Sequence, residues 1–442
     1  MATHVAIRGR HSVESARRTV SVELLDYGRS RMRSHDKLLT RVCFCGVVVL
    51  GFVKMFVFSA DIPWRAKYQL FSVPAWTYPG ADARNIQTAA RCFREGTPIF
   101  GSNPCIMAGK PVKDTYPEAN VWVLNYPSVW VRGYAFFNDD SERFFMHFWN
   151  ANTLLLAVGI LIYCFRYSYL SLPLLLFSPI TLLVIERGNI DATTFFFTFV
   201  PLLAFASSRR LQSFFIGFAA ALKLFPVFGY IAFLRRRKPF IGREALIGAL
   251  VAAPIVLYSV LELPKILEGT LNGFEVAYGL SSLTQAPTFD QDAHLAYLCM
   301  VGFIVLWIAT LILFARNAFL TKAIDSDLGD LKDIDLTALL VSCSIFLLTF
   351  VALSNWAYRL IFLIPAFVIL ARSRSMLATT VRGHILAIFW VPVIPQGWII
   401  ENLLCFPLAI AASILFYRGV SLQLERSEGY GQVEATAGRV GR

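Results

Sequence analysis

The chain has 442 residues, 56% of them hydrophobic and 16% charged, with a formal net charge of +12. Soluble domains carry about a quarter charged residues, so the balance excludes an ordinary soluble enzyme. The surplus Lys and Arg fall in short clusters between apolar runs, as in cytoplasmic loops of membrane proteins, which argues against a nucleic-acid-binding face.

Residues 1–41 are Arg-rich (Arg8, Arg10, Arg17, Arg18, Arg29, Arg31, Arg33, Arg41) and contain no apolar run, so they read as a cytoplasmic basic tail. The stretch 42–60 exceeds the core of a signal peptide and reads as an uncleaved anchor. Lys54 within it either snorkels to the interface or lines a cavity. The loop 61–142 that follows is too long for a connector. Its segments 84–93 and 121–137 are expected to lie as interfacial helices. Most of the eight cysteines sit in apolar segments and behave as small hydrophobes. Cys92 and Cys105 instead fall in this loop, and a disulfide between them is expected in an oxidising compartment.

A span at 144–165 leads to two apolar hairpins with basic flanks. The first runs from Arg166 to Arg209 and Arg210, with the tip Glu186-Arg187-Gly188-Asn189-Ile190-Asp191. Its arms of roughly 18 residues just suffice to cross a bilayer. The second reaches Arg235-Arg236-Arg237-Lys238 and carries Lys223-Leu224-Phe225-Pro226 near its middle. Arms of about 10–12 residues are too short to cross, which predicts short or re-entrant segments buried in protein. The basic flanks put both tips on the outer side.

Further spans are predicted at 245–263, 295–314, 337–353, 360–370, 380–394 and 398–417. A second outer loop occupies 264–294, a charged inner loop carries Arg316, Lys322 and Lys332, and the polar kink Ser354-Asn355-Trp356-Ala357-Tyr358-Arg359 separates two spans. The predicted fold is all-α integral membrane, with about twelve transmembrane or re-entrant helices and a long first extracytoplasmic loop. The polytopic membrane body is expected at 42–418, and 419–442 reads as a flexible cytoplasmic tail.

Ionisable groups at membrane depth are expensive and mark functional sites. They are Asp61 and Asp82 in the first loop, the 186–191 tip, Lys223, and the Tyr358-Arg359 pair. The structural alternative pairs Glu186 with Arg187 or Arg359 and leaves Lys223 to cap a short helix end. Asp114, Glu118, Asp139 and Asp140 read as solvated loop faces. Asp290, Asp292 and His294 either touch a substrate or end a helix. No zinc-type cluster or nucleotide loop is visible, so neither metal nor cofactor is expected.

The stretch Asp82-Ala83-Arg84-Asn85-Ile86, continuing to Gly96-Thr97-Pro98-Ile99-Phe100, resembles the first-loop pattern of GT-C fold glycosyltransferases. Asn125-Tyr126-Pro127 resembles the Tyr-Pro-Pro element of the polyprenol-phosphate-sugar transferases of glycosyltransferase family 87, with Ser128 in place of the second Pro. Glu186-Arg187-Gly188-Asn189, Lys223-Leu224-Phe225-Pro226 and Tyr358-Arg359 are similar to further elements of that family, and the resemblance covers most of 40–375.

The resemblance implies transfer of a sugar, with inversion, from a polyprenyl-phosphate donor to the hydroxyl of a lipid-linked or glycan acceptor. The site would face outward from a membrane such as the bacterial inner membrane. Asp82 is then the general base, with Asp61, directly after the first span, as rival. Arg187, Lys223 and Arg359 are expected on the donor phosphate, and Glu186, Asn189, Asp191, Tyr126 and Tyr358 are expected to line the cavity. The alternative function is a transporter or a flippase for lipid-linked sugars, whose broken helices look alike.

Overall fold

The computed structural model describes residues 37–58, 63–74, 80–100, 124, 126–137, 139, 141–234, 242–268, 277–278, 293–352, 355–373, 375–393 and 397–440. Two compact units emerge, Met1–Gly51 and Phe52–Arg442. The site and its supports lie in the second.

The described helices are α1 (Lys37–Phe56), α2 (Trp64–Gln69), α3 (Ala81–Arg94), α4 (Ser128–Phe136), α5 (Glu142–Tyr167), α6 (Leu172–Leu176), α7 (Pro179–Arg187), α8 (Asp191–Ala204), α9 (Arg209–Leu222) and α10 (Arg243–Leu261). They continue with α11 (Leu263–Glu268), α12 (Ala293–Arg316), α13 (Ala318–Gly329), α14 (Asp333–Ala352), α15 (Ile364–Leu370), α16 (Met376–Trp390) and α17 (Gly397–Val440). A two-residue antiparallel pair, β1 (Ala277–Tyr278) and β2 (Asn355–Trp356), is the sole sheet among the described residues.

The chain is a multi-pass, all-α membrane protein. Six described helices are long and apolar enough to cross a bilayer, or up to eight if each bent pair counts as one span. The difference from the twelve segments read in the sequence has local causes. The outgoing arm of the first hairpin breaks between α6 and α7 with a bend of 54°. There Ser178 caps α7 by accepting from the Thr181 N–H at 3.3 Å, and Pro179 has no N–H to continue the preceding turn. The return arm, α8, has only 14 residues. The second hairpin has the expected short arms, α9 and a 3-10 segment, Phe225–Phe233.

The segment read as a charged inner loop is largely helical, as α13, which meets the preceding helix at 80°. The tail expected to be flexible continues α17 to Val440. Its nearer part is tied down: Arg418 Nε donates to Asp325 at 2.8 Å and Arg426 to Asp333 at 2.8 Å.

The ion pairs gather at two opposite ends of the helix array. At one, Asp335 accepts from the Tyr167 hydroxyl at 2.5 Å and pairs with Arg166 at 3.5 Å and Arg372 at 3.6 Å. Arg209 donates to Thr337 beside it at 2.8 Å. At the other end, Arg84 of α3 pairs with Glu142 at 2.6 Å. The helix α5 carries Glu142 at its first residue and Tyr167 at its last; its 26 residues span about 39 Å, more than the roughly 30 Å of bilayer hydrocarbon.

Helices α9 and α10 run parallel between these ends. Ser213 donates to the Ala245 carbonyl at 2.5 Å near one end, and Ser259 to the Ala221 carbonyl at 2.7 Å near the other. Gly217 and Gly248 permit this approach, because a Cβ would collide with Ala252 at the first and with the Arg210 carbonyl at the second.

Candidate active site

The site is built where the first loop meets the tip of the first hairpin. Helix α7 ends at Arg187, and Gly188 follows with φ +61°. The Gly188 N–H donates to Ile185 O at 2.9 Å and the Asn189 N–H to Val184 O at 3.0 Å. These are the two bonds of a Schellman ending, which needs a left-handed residue after the helix and so favours glycine. Asp191 then starts α8, where the positive helix end favours a carboxylate.

The loop is fixed to this turn by backbone. The Gly80 N–H donates to Glu186 O at 2.9 Å. A Cβ on Gly188 would lie 3.0 Å from the Gly80 Cα and 2.9 Å from the Trp149 ring, whose Nε1 donates to Ile185 O at 2.7 Å. Gly80, itself at φ +69°, is the N-cap of α3, so Asp82 occupies the first turn of that helix and faces the tip.

Asn189 connects the parts. Its Nδ2 donates to Asp82 Oδ2 at 2.5 Å and to the Tyr126 hydroxyl at 3.1 Å. Its Oδ1 accepts from the Asp191 N–H at 2.8 Å and from Lys223 Nζ at 3.2 Å. All four hydrogen-bonding positions of the amide are therefore used.

Lys223, the C-cap of α9, also pairs with Asp191 at 2.6 Å. Its ammonium lies 5.0 Å from the Tyr126 ring centroid and 5.5 Å from that of Tyr358. Arg359 approaches the other Asp191 oxygen at 3.8 Å and covers the Phe225 ring. Arg187 pairs with Glu186 at 3.3 Å. Asp82, Glu186 and Asp191 thus face Arg187, Lys223 and Arg359, a set balanced in charge.

Burial pushes the Asp82 carboxyl above the ordinary Asp value; Arg187, the Asn189 hydrogen bond and Lys223 act in the opposite direction without cancelling it.

The structure brings Asp82, Glu186, Arg187, Asn189, Asp191, Lys223, Tyr126, Tyr358 and Arg359 together at one level. Asp61, Cys105, Asp114, Glu118, Asp140, Asp290 and Asp292 lie outside the described residues. Cys92 is disulfide-bonded. Among the described residues no group of three or more His, Cys, Asp or Glu has metal-holding geometry. Sequence reasoning missed Gly80, Trp149 and the Arg84–Glu142 pair. A glycine before an Asp-bearing amphipathic helix was the available signal for the first.

A cavity of about 590 Å³ lies at the far end of α3, lined among others by Phe93, Phe100, Ser128, Arg132, Glu262 and Lys265. The Ser128 N–H, at the start of α4, donates to Glu262 at 2.7 Å, and the Ser128 and Tyr258 hydroxyls are 2.6 Å apart. Trp130 Nε1 donates to Leu222 O at 2.9 Å, which fastens α4 to the residue before Lys223. No known protein family, curated protein or solved structure matches the chain.

Proposed function

We propose that the protein is a GT-C-type glycosyltransferase that moves a sugar from a polyprenyl-phosphate donor to an acceptor hydroxyl. Its site would open to the extracytoplasmic face of a membrane such as the bacterial inner membrane. The observation that carries the reading is the buried Asp82 carboxylate, held by Asn189 and Tyr126 beside Lys223, Arg187 and Arg359.

In this reading Asp82 takes the proton of the acceptor hydroxyl as that oxygen attacks the anomeric carbon. The bond from carbon to phosphate oxygen breaks on the opposite face, and its electron pair leaves with the polyprenyl phosphate. The anomeric centre inverts. A general base of this kind contributes about 10²–10⁴-fold. Cations near the leaving oxygens stabilise the departing charge. Arg359 suits this role best, because its 3.8 Å contact with Asp191 is the loosest pairing in the set and its side chain is 18% exposed. Lys223 and Arg187, more tightly held, set the field in which Asp82 works.

The transporter reading draws on the bent α6–α7 pair and on α9 ending at membrane depth in a lysine. Purified full-length protein in liposomes, given a panel of labelled polyprenyl-phosphate sugars and their extracts as acceptors, separates the two. The transferase reading expects turnover that falls by about 10²–10⁴-fold in Asp82→Asn, with folding and insertion unchanged. Turnover unaffected by that substitution, or no donor consumed by folded protein, overturns it in favour of transport.

A further inference from the structure

We infer that an anionic glycerophospholipid binds the cleft between α6 and α16, with its phosphate on Arg166 and Arg372 and an acyl chain in the apolar groove beside Gly383. The site lies at the Asp335 end of the helix array, away from the Asp82 chamber. It does not depend on which reaction that chamber performs.

The head of the cleft has more positive charge than its acids neutralise. Arg166 and Arg372 share one buried carboxylate, Asp335, at 3.5 and 3.6 Å, and that carboxylate also holds the Tyr167 hydroxyl. The two guanidinium groups lie 5.4 and 4.6 Å from the centroid of the Tyr167 ring, a contact that orients a cation without neutralising it. Arg209, on Thr337, adds a third guanidinium, whereas the second acid of this set, Asp327, holds the Ser373 hydroxyl at 2.9 Å. One positive charge is left over. The other ion pairs on this side are one to one: Arg210 with Glu244, Arg418 with Asp325 and Arg426 with Asp333. Arg166 and Arg372 are both part-exposed, so a phosphodiester can reach them from the membrane surface. Paired guanidinium groups suit its oxygens.

An apolar groove continues from this head. Arg372 also donates to the Arg166 carbonyl at 3.0 Å, and Trp390 Nε1 donates to the Leu174 carbonyl at 2.9 Å. These bonds tie the α5–α6 stretch to the α15–α16 stretch at two points. Leu174, Gly383, Leu386, Ala387 and Trp390 line a groove of about 410 Å³ between the two helices. Gly383 keeps it open, since a Cβ there would meet no atom within 4 Å. From Met376, the first residue of α16, to Trp390 is about 21 Å, more than the roughly 15 Å half-thickness of bilayer hydrocarbon that an acyl chain fills. The position also excludes the lipid of the Asp82 site as occupant. Helix α5 separates Tyr167 from Glu142, the partner of Arg84, by about 39 Å. A phosphate on Arg166 and Arg372 therefore cannot lie beside Asp82 as well, and the bound lipid comes from the leaflet at the Asp335 end.

The test is native mass spectrometry of the delipidated full-length protein, titrated with phosphatidylglycerol, with phosphatidylcholine of the same acyl chains, and with undecaprenyl phosphate. Wild type should bind phosphatidylglycerol about tenfold more tightly than phosphatidylcholine. Arg166→Gln combined with Arg372→Gln should remove that preference and leave phosphatidylcholine binding unchanged, while Arg166→Lys with Arg372→Lys keeps the preference. Gly383→Leu should weaken both phospholipids together, with wild-type helix content by circular dichroism. Equal binding of the two phospholipids by wild type, a preference that survives the Gln double variant, or full binding by Gly383→Leu overturns the assignment. Tighter binding of undecaprenyl phosphate than of phosphatidylglycerol overturns it in favour of a polyprenyl site.

Discussion

The side chain of Asn189 donates to the carboxylate of Asp82 at 2.5 Å across 107 residues of sequence. The bond joins a loop helix to a helix ending within the membrane body. The same amide accepts from Lys223, so the orientation of the acid and the position of one neighbouring cation depend on one residue. On the transferase reading, Asn189→Ala should leave the protein folded and inserted but lower sugar transfer about 10- to 100-fold, the scale of a misplaced catalytic group. Steady-state kinetics checks this, with the loss falling on kcat rather than KM.

Acid sensitivity follows from the Asp82 environment. On the transferase reading Asp82 must be deprotonated to act as base, and burial raises this carboxyl above its ordinary value of 3.8. Activity should therefore fall on the acid side at a pH above the ordinary Asp range. Arg187 and Lys223 both favour the charged form, so Lys223→Gln should shift the acid limb of kcat/KM further upward. A limb unmoved by this change would mean that another group titrates there.

The Gly80–Gly188 contact is predicted to be intolerant. Gly188→Ala places a Cβ 2.9 Å from Trp149 and 3.0 Å from Gly80 at φ +61°, and the left-handed conformation alone costs about 1–2 kcal/mol. Thermal unfolding in detergent should show a lower Tm, with transfer lost as the loop detaches. Gly96→Ala, at φ +69° but with no atom within 4 Å of its Cβ, should be the milder change.

Asp335 offers a contrast at the opposite end. It is 1% exposed and accepts from Tyr167 while pairing with two arginines. Asp335→Ala leaves a half-buried phenol and two cations without their acceptor. Arg166 and Arg372 are 37% and 44% exposed and turn to water, so the cost should be about 1–3 kcal/mol, below that of a fully buried pair. A fluorescence-based melt should register it, with the pH profile of transfer unchanged.

Much of the candidate site was visible as chemistry before it was visible as geometry. Asp82, Arg187, Asp191, Lys223 and Arg359 stand out because charges beside apolar runs are rare, and burying them is costly. What brings them together was hidden. Trp149 looks like any interfacial aromatic until its indole is found on Ile185 O. The left-handed Gly80 owes its conformation to Glu186 O and Gly188, neither near it in sequence.

The fold was legible where one helix spans the apolar layer, as in α5, α10 and α14. It was misread where apolar length and helix length part, as at Ser178-Pro179, where a single Ser-Pro step inside an apolar run makes a bend. The helical α13 was missed because its charges imitate a loop. Asp325 pairs with Arg418 and Asp327 accepts from Ser373, partners that lie far along the chain.

Two glycines in backbone contact leave no slack between the first loop and the hairpin tip. Asp82 is therefore fixed to Asn189 as a single block by main chain, whereas the opposing wall, α4, meets Tyr258 and Glu262 through side chains; on the transferase reading, any movement that admits a substrate falls to that side.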